Sequence, residues 1–326
     1  MPSGKRRATG VNLHQNKIPE APRRLLRPRN LTAALLVGAA LAISTLIVAS
    51  KSAGAGGWTL VFQDSFTATK LNTSAWYTRF IYNNGTMDHL NNEKQRYRES
   101  GNHLMLGGVL NLVAKGPNSN GLYTSGMIRS HQTFRYGYFE ARIKMPPGRG
   151  MFPAFWLNSD YDENGNLDWP PEIDILEFAP NGVNEFPNMV HSNVALTSPN
   201  MQGGGWLYRD TNFSERWHFY RAPVDMTKDF HVYGLLWDTN DTVTAFLDGK
   251  KLWQRTYRWV YKDGRKAGPA HILINLAVGG DWAGLGGIST TAFPASLEVS
   301  YVRVCQRAKA GVVGQTTCGL SKFAPR

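Results

Sequence analysis

The sequence predicts an all-β sandwich, on three observations. From Trp58 onward, short apolar or alternating runs are separated by Gly, Asn, Asp and Pro, as in "WTLVFQDSF", "YGYFEARIKMP", "HVYGLLWDT" and "LEVSYVRV". After residue 57 no long stretch has a helical period, and no internal repeat is visible. The body is about 250 residues long, which suits one large sandwich better than two domains.

The ends come first. Residues 1–56 hold nine Lys or Arg against one acid, and residues 305–326 hold four against none. The body, 57–304, balances 23 basic with 23 acidic residues, so the net charge of +12 belongs to the two ends. A nucleic-acid surface needs clustered positive charge on the folded body, and this balance disfavours one.

Residues 31–50, "LTAALLVGAALAISTLIVAS", are twenty residues without a charge. That length predicts a hydrophobic helix able to span a bilayer. It exceeds the usual apolar stretch of a cleaved signal, and the basic segment 1–30 would keep its end cytoplasmic. Against that, "AGA" at 53–55 looks like a signal-peptidase site. A single-pass membrane anchor and a cleaved signal both stay open. Either sends the chain beyond the linker at 51–57 out of the cytoplasm. Cys305 and Cys318 are the only cysteines. An oxidising compartment permits a bridge closing a short tail loop, and two free thiols are the alternative.

Within the body, "YGYFEARIKM" alternates cleanly, with Phe139, Ala141, Ile143 and Met145 against Tyr138, Glu140, Arg142 and Lys144. In "VTAFLDGKKLW", Asp248-Gly249 marks a tight hairpin turn. Longer turn-rich segments at 82–96, 158–171, 198–228 and 279–294 are rich in Gly, Asn, Trp and Tyr. Long loops in a compact domain tend to be functional, and aromatic rings beside Asn and Asp suit sugars.

One strand breaks its own pattern. "WPPEIDILEF", 169–178, has good strand formers but carries Glu172, Asp174 and Glu177 within six residues. Regular alternation would put Glu177 beside Ile173 and Ile175, on the core side. A β-bulge near Ile175-Leu176 adds one residue and resets the alternation. All three carboxylates then share a face. Like charges in a row repel, so at least one should hold its proton at neutral pH. One protonated acid beside one carboxylate is the pair that glycosidic bond cleavage requires. Three carboxylates could also hold a hard cation, or simply face solvent.

"EIDILE" resembles the E-x-D-x-x-E signature of family 16 glycoside hydrolases. In chain order, "VFQDSF", "LNNEKQRYR", "YGYFEARIKMPPGRGMFPAFWL", "DFHVYGLLWDTNDTVTAFLDGK", "ILINLAVGGDWAG" and "VSYVRV" are similar to further segments of that family. The resemblance covers 58–304, leaving 305–326 as a tail. It implies a concanavalin-like β-jelly-roll of two antiparallel sheets with an open substrate cleft. It also implies Glu172 as nucleophile, Glu177 as general acid and then base, and Asp174 tuning both. Trp156 would floor the site, and His191 would orient a carboxylate or a sugar hydroxyl. Asn92 and Trp282 would contact flanking sugars, and Tyr138 and Arg142 are further candidates for substrate contact. Relatives often have acids where this chain has Ser65 and Ser300, which puts their structural calcium in doubt here. Phe152 stands where many laminarinases have Trp.

The activity implied is a retaining endo-β-glycosidase, monomeric and without cofactor. It would hydrolyse internal β-1,3 or β-1,3-1,4 bonds of a glucan, or of a bacterial exopolysaccharide, since "WPPEIDILE" resembles glycanases that trim such polymers. A carbohydrate-binding sandwich without catalysis and a transglycosylase are the alternatives.

Overall fold

The computed structural model describes residues 57–201 and 205–308. Two antiparallel sheets stack face to face, and the helical segments run only three or four residues each. The first sheet runs Trp206–Arg209, Lys250–Thr256, Thr242–Leu247, His231–Trp237, Gly137–Lys144, Ala295–Arg307, Val109–Ala114, His103–Leu106, with Trp58–Asp64 also on Ala295–Arg307. The second runs Phe213–Ser214, Phe219–Arg221, Met189–Val194, Glu172–Glu177, Met151–Ser159, Ala270–Val278, Met127–Ser130, Trp76–Tyr77. This is the β-jelly-roll sandwich expected.

The core lies between the sheets and follows the period-2 rule. Phe139, Ala141 and Ile143 point inward from the first sheet and meet Phe155, Leu157, Ile272 and Ile274 from the second, all fully buried. The Asp248-Gly249 turn has both residues at positive φ, 48° and 77°, as a two-residue hairpin turn of the primed type requires.

The same alternation corrects two expectations. With Phe139, Ala141 and Ile143 in the core, Tyr138 and Arg142 point from the first sheet away from the second. Tyr138 packs with Trp58, Leu236 and Cys305, and the Arg142 guanidinium lies 4.4 Å over the Phe230 ring. Neither borders the carboxylates. The segment 198–228, read as a loop, contributes three short strands at the sheet edges. A parallel pair, Gln95–Tyr97 with Tyr123–Ser125, adds a small third sheet.

Beside Ser65, the Asp64 side chain is tied into the fold. Each oxygen of the Asp64 carboxylate is already an acceptor, one for the Phe66 amide at 2.8 Å and the other for the Trp76 indole at 2.8 Å. Cys305 is disulfide-bonded. Residues 31–50 and Cys318 lie outside the described residues, among which no helix is long and apolar enough to cross a membrane.

Candidate active site

The strand Glu172–Glu177 sits between Met151–Ser159 and Met189–Val194. Asp174 pairs with Trp156, but the next pair is Leu176 with Phe155, so Ile175 is the extra residue. The register against the other neighbour shifts in the same place, between Asp174 and Glu177. Where the ladder is interrupted, the buried Ser192 hydroxyl donates to the Asp174 carbonyl at 3.0 Å. That satisfies a backbone group the bulge would otherwise leave bare. Ile173, Ile175 and Leu176 all pack into the core, while Glu172, Asp174 and Glu177 stay partly exposed. The three carboxylates line one pocket on the side of the second sheet facing away from the first.

Crowding and burial govern their chemistry. Burial pushes Glu172 up to about 7, with the Trp169 indole N–H, 3.2 Å from its Oε2, pulling the other way. Burial pushes Glu177 up to about 8, helped by the negative charges of Glu172 and Glu185. Asp174 rises well above the ordinary carboxylate range, first through burial and then through repulsion by Glu177 and Glu172. The strand therefore holds protons near neutrality.

Trp156 lies directly across from Asp174 and lines the pocket, its indole donating to Asn275 Oδ1 at 2.7 Å. His191 is paired with Glu177 across the strands, yet its Nε2 contacts Glu185 Oε2 at 2.7 Å rather than Glu177. Glu185 also accepts the Trp282 indole N–H at 3.2 Å, and the Trp282 ring stands edge-on to His191 and to Phe152. Trp282 thus sits at the Glu177 end of the pocket behind Phe152, which lines it. Asn92 is turned out, donating to Asp281 Oδ2 at 3.0 Å, and its neighbour Asn91 lines the pocket instead.

Several residues at the site escaped the sequence reading. Glu93, raised by burial, faces the carboxylates from the 82–96 segment, and Gln95 donates to it at 2.7 Å. Glu185 sits in a loop with no periodicity to mark it. Asn275 alternates with Ile274 and Leu276, and its placement opposite the core was a readable signal.

Residues 58–302 match the family described as "Beta-porphyranase A-D, GH16 domain". The chain is 32% identical over 275 residues to the beta-glucanase of Rhodothermus marinus, covering 80% of this chain and 89% of that protein. It is 31% identical over 207 residues to the endo-1,3-1,4-beta-glycanase EglC of Rhizobium meliloti (strain 1021), covering 60% of this chain and 38% of the relative. Among solved structures, the laminarinase of Rhodothermus marinus aligns with a TM-score of 0.59 at 28% identity, over 78% of this chain and 99% of that one. With the family match running from the first strand of the body into its last, the chain belongs to glycoside hydrolase family 16.

Proposed function

We propose that this chain is an endo-β-glycosidase that cuts internal bonds of a polysaccharide with retention at the anomeric carbon. One observation carries the reading: a single bulged strand turns Glu172, Asp174 and Glu177 to one pocket, with Glu177 the more proton-retaining of the two glutamates. In the first step Glu172 attacks the anomeric carbon, the glycosidic bond breaks, and Glu177 gives its proton to the departing oxygen. In the second, Glu177 takes a proton from water as that water displaces Glu172. Retention calls for carboxyls roughly 5–5.5 Å apart, a spacing that side chains three side-by-side positions along one bulged strand can reach. The chemistry needs no cofactor.

The substrate at the cleavage point is an uncharged glycan. Four carboxylates line the pocket, counting Glu93, and no Lys or Arg is among the described lining residues. With Glu172 ionised for attack and no cation in that lining, a sulfate or uronate there would meet one negative charge and no basic partner. A β-1,3 or β-1,3-1,4 glucan, or a neutral stretch of bacterial exopolysaccharide, fits both the pocket and the activities for which the two relatives are named. The enzyme works outside the cytoplasm, with residues 31–50 as its anchor or signal.

Laminarin, lichenan, carrageenan and an exopolysaccharide incubated with the chain should separate into cleaved neutral and untouched sulfated polymers, with retained configuration by NMR of the first product. Glu172→Ala should lose about 10³-fold or more in turnover and regain part of it with azide, giving the glycosyl azide of inverted configuration. Full turnover by that variant would refute the assignment.

A further inference from the structure

Trp169 is an exposed aromatic in direct contact with Glu172, and its setting is built. Its indole donates to Oε2 of Glu172 at 3.2 Å while about half of the side chain, 49%, remains open. The segment is fixed on both sides. The Trp169 amide donates to Asp168 Oδ1 at 2.9 Å, Asp168 is paired with Lys262 at 3.1 Å, and Pro170 and Pro171 behind it are buried. The Glu172 amide donates to the hydroxyl of the fully buried Tyr257 at 3.1 Å, which holds the base of the same side chain.

We propose that Trp169 is the positioning residue of Glu172: its N–H reserves Oε2, so that Oε1 is the attacking oxygen, and its open ring face stacks on the sugar bound there. This rests on the glycosidase reading above. A carboxylate can present either oxygen, and the bond it forms uses one. When Oε1 attacks, the electron pair of the breaking glycosidic bond leaves with the aglycone oxygen, which takes the Glu177 proton. Oε2 becomes the carbonyl oxygen of the glycosyl ester and keeps the indole N–H. When water displaces the ester, the same N–H stabilises the carboxylate as charge returns to it. The flat, half-exposed indole next to that bond supplies the apolar surface that the C–H face of a sugar ring seeks.

The other charged or titratable groups around Glu172 do not substitute for this donor. Asp174 and Glu177 on its own strand and Asp168 in the flanking loop are carboxyls, Lys262 is committed to Asp168, the Tyr82 hydroxyl is engaged by the Asn158 amide at 2.9 Å, and the Tyr257 hydroxyl is engaged by the Glu172 amide. The indole is the hydrogen-bond donor that the Glu172 carboxylate has in the described residues.

Two substitutions separate the roles. Trp169→Phe keeps a ring and loses the N–H. The acidic limb of its kcat/KM profile should move up by roughly half to one pH unit, as expected when a carboxylate loses a hydrogen bond, and kcat should fall several-fold with KM little changed. Trp169→Ala should show the same shift and in addition raise KM about three- to tenfold, the scale of a lost aromatic contact. A purely structural tryptophan would lower the melting temperature and leave the limb in place. A Trp169→Phe enzyme with the wild-type pH profile overturns the proposal while the glycosidase stands. A wild-type chain that cleaves no glycan overturns the reading beneath it.

Discussion

Glu177 depends on a carboxylate that never touches it. Glu185 is buried, holds His191 and Trp282, and its charge helps keep the Glu177 proton in place. Removing that charge lowers the proton affinity of Glu177, so the protonated acid is lost at a lower pH. Glu185→Gln should therefore move the alkaline limb of kcat/KM down by roughly half to one unit, with the acidic limb unmoved. Superimposable profiles would take Glu185 out of the surroundings of Glu177. At this scale the sequence was legible where residue type and strand period disagreed, as at Glu172, Asp174 and Glu177. It was silent on Glu185, because a loop glutamate contradicts no pattern. Tyr138 and Arg142 were misplaced for a physical reason: alternation separates the two faces of a strand but does not tell which sheet carries the cleft.

The element that matters most is a strand made less stable by its own function. Its carboxyls stay protonated well above their ordinary range, so between roughly pH 5 and 8 the folded chain binds more protons than the unfolded one. That stabilisation is full below the ordinary glutamate pKa and drains away as pH rises through about 7 for Glu172 and about 8 for Glu177. The carboxyls repel one another and do not ionise independently, and the loss should amount to several kcal/mol. The melting temperature should fall between pH 5 and pH 8.5, and the double variant Glu172→Gln, Glu177→Gln should fall markedly less. Equal slopes for both proteins would show that the carboxyls ionise freely in the fold. The bulge was readable in outline because only one inserted residue reconciles six positions with a single core face. The short edge strands at 206–221 were not, since two to four residues among Gly, Asn and Asp give too few alternations to count.

Over the whole molecule, stability and chemistry are drawn from different places. The core between the sheets holds the large aromatics, with Phe139 fully buried against Phe134 and Trp237 in the sheet away from the pocket. Phe139→Ala should cost about 3–5 kcal/mol of unfolding free energy by denaturant titration, while the molecules still folded keep their kcat. A loss below about 1 kcal/mol would mean that the neighbours close over the gap. The sandwich class was legible because alternation repeats along the whole body. The Gln95–Tyr97 pairing with Tyr123–Ser125 was not, because parallel partners distant in sequence leave no turn between them to read. Glu172 and Glu177 share one six-residue segment at the centre of a sheet, flanked on each side by a paired neighbour. Their mutual distance is thus set by a few consecutive peptide units, and no hinge or mobile flap can loosen it separately. On heating, the activity-decay curve and the calorimetric transition should fall on top of one another, so that this enzyme reports its own melting by going silent.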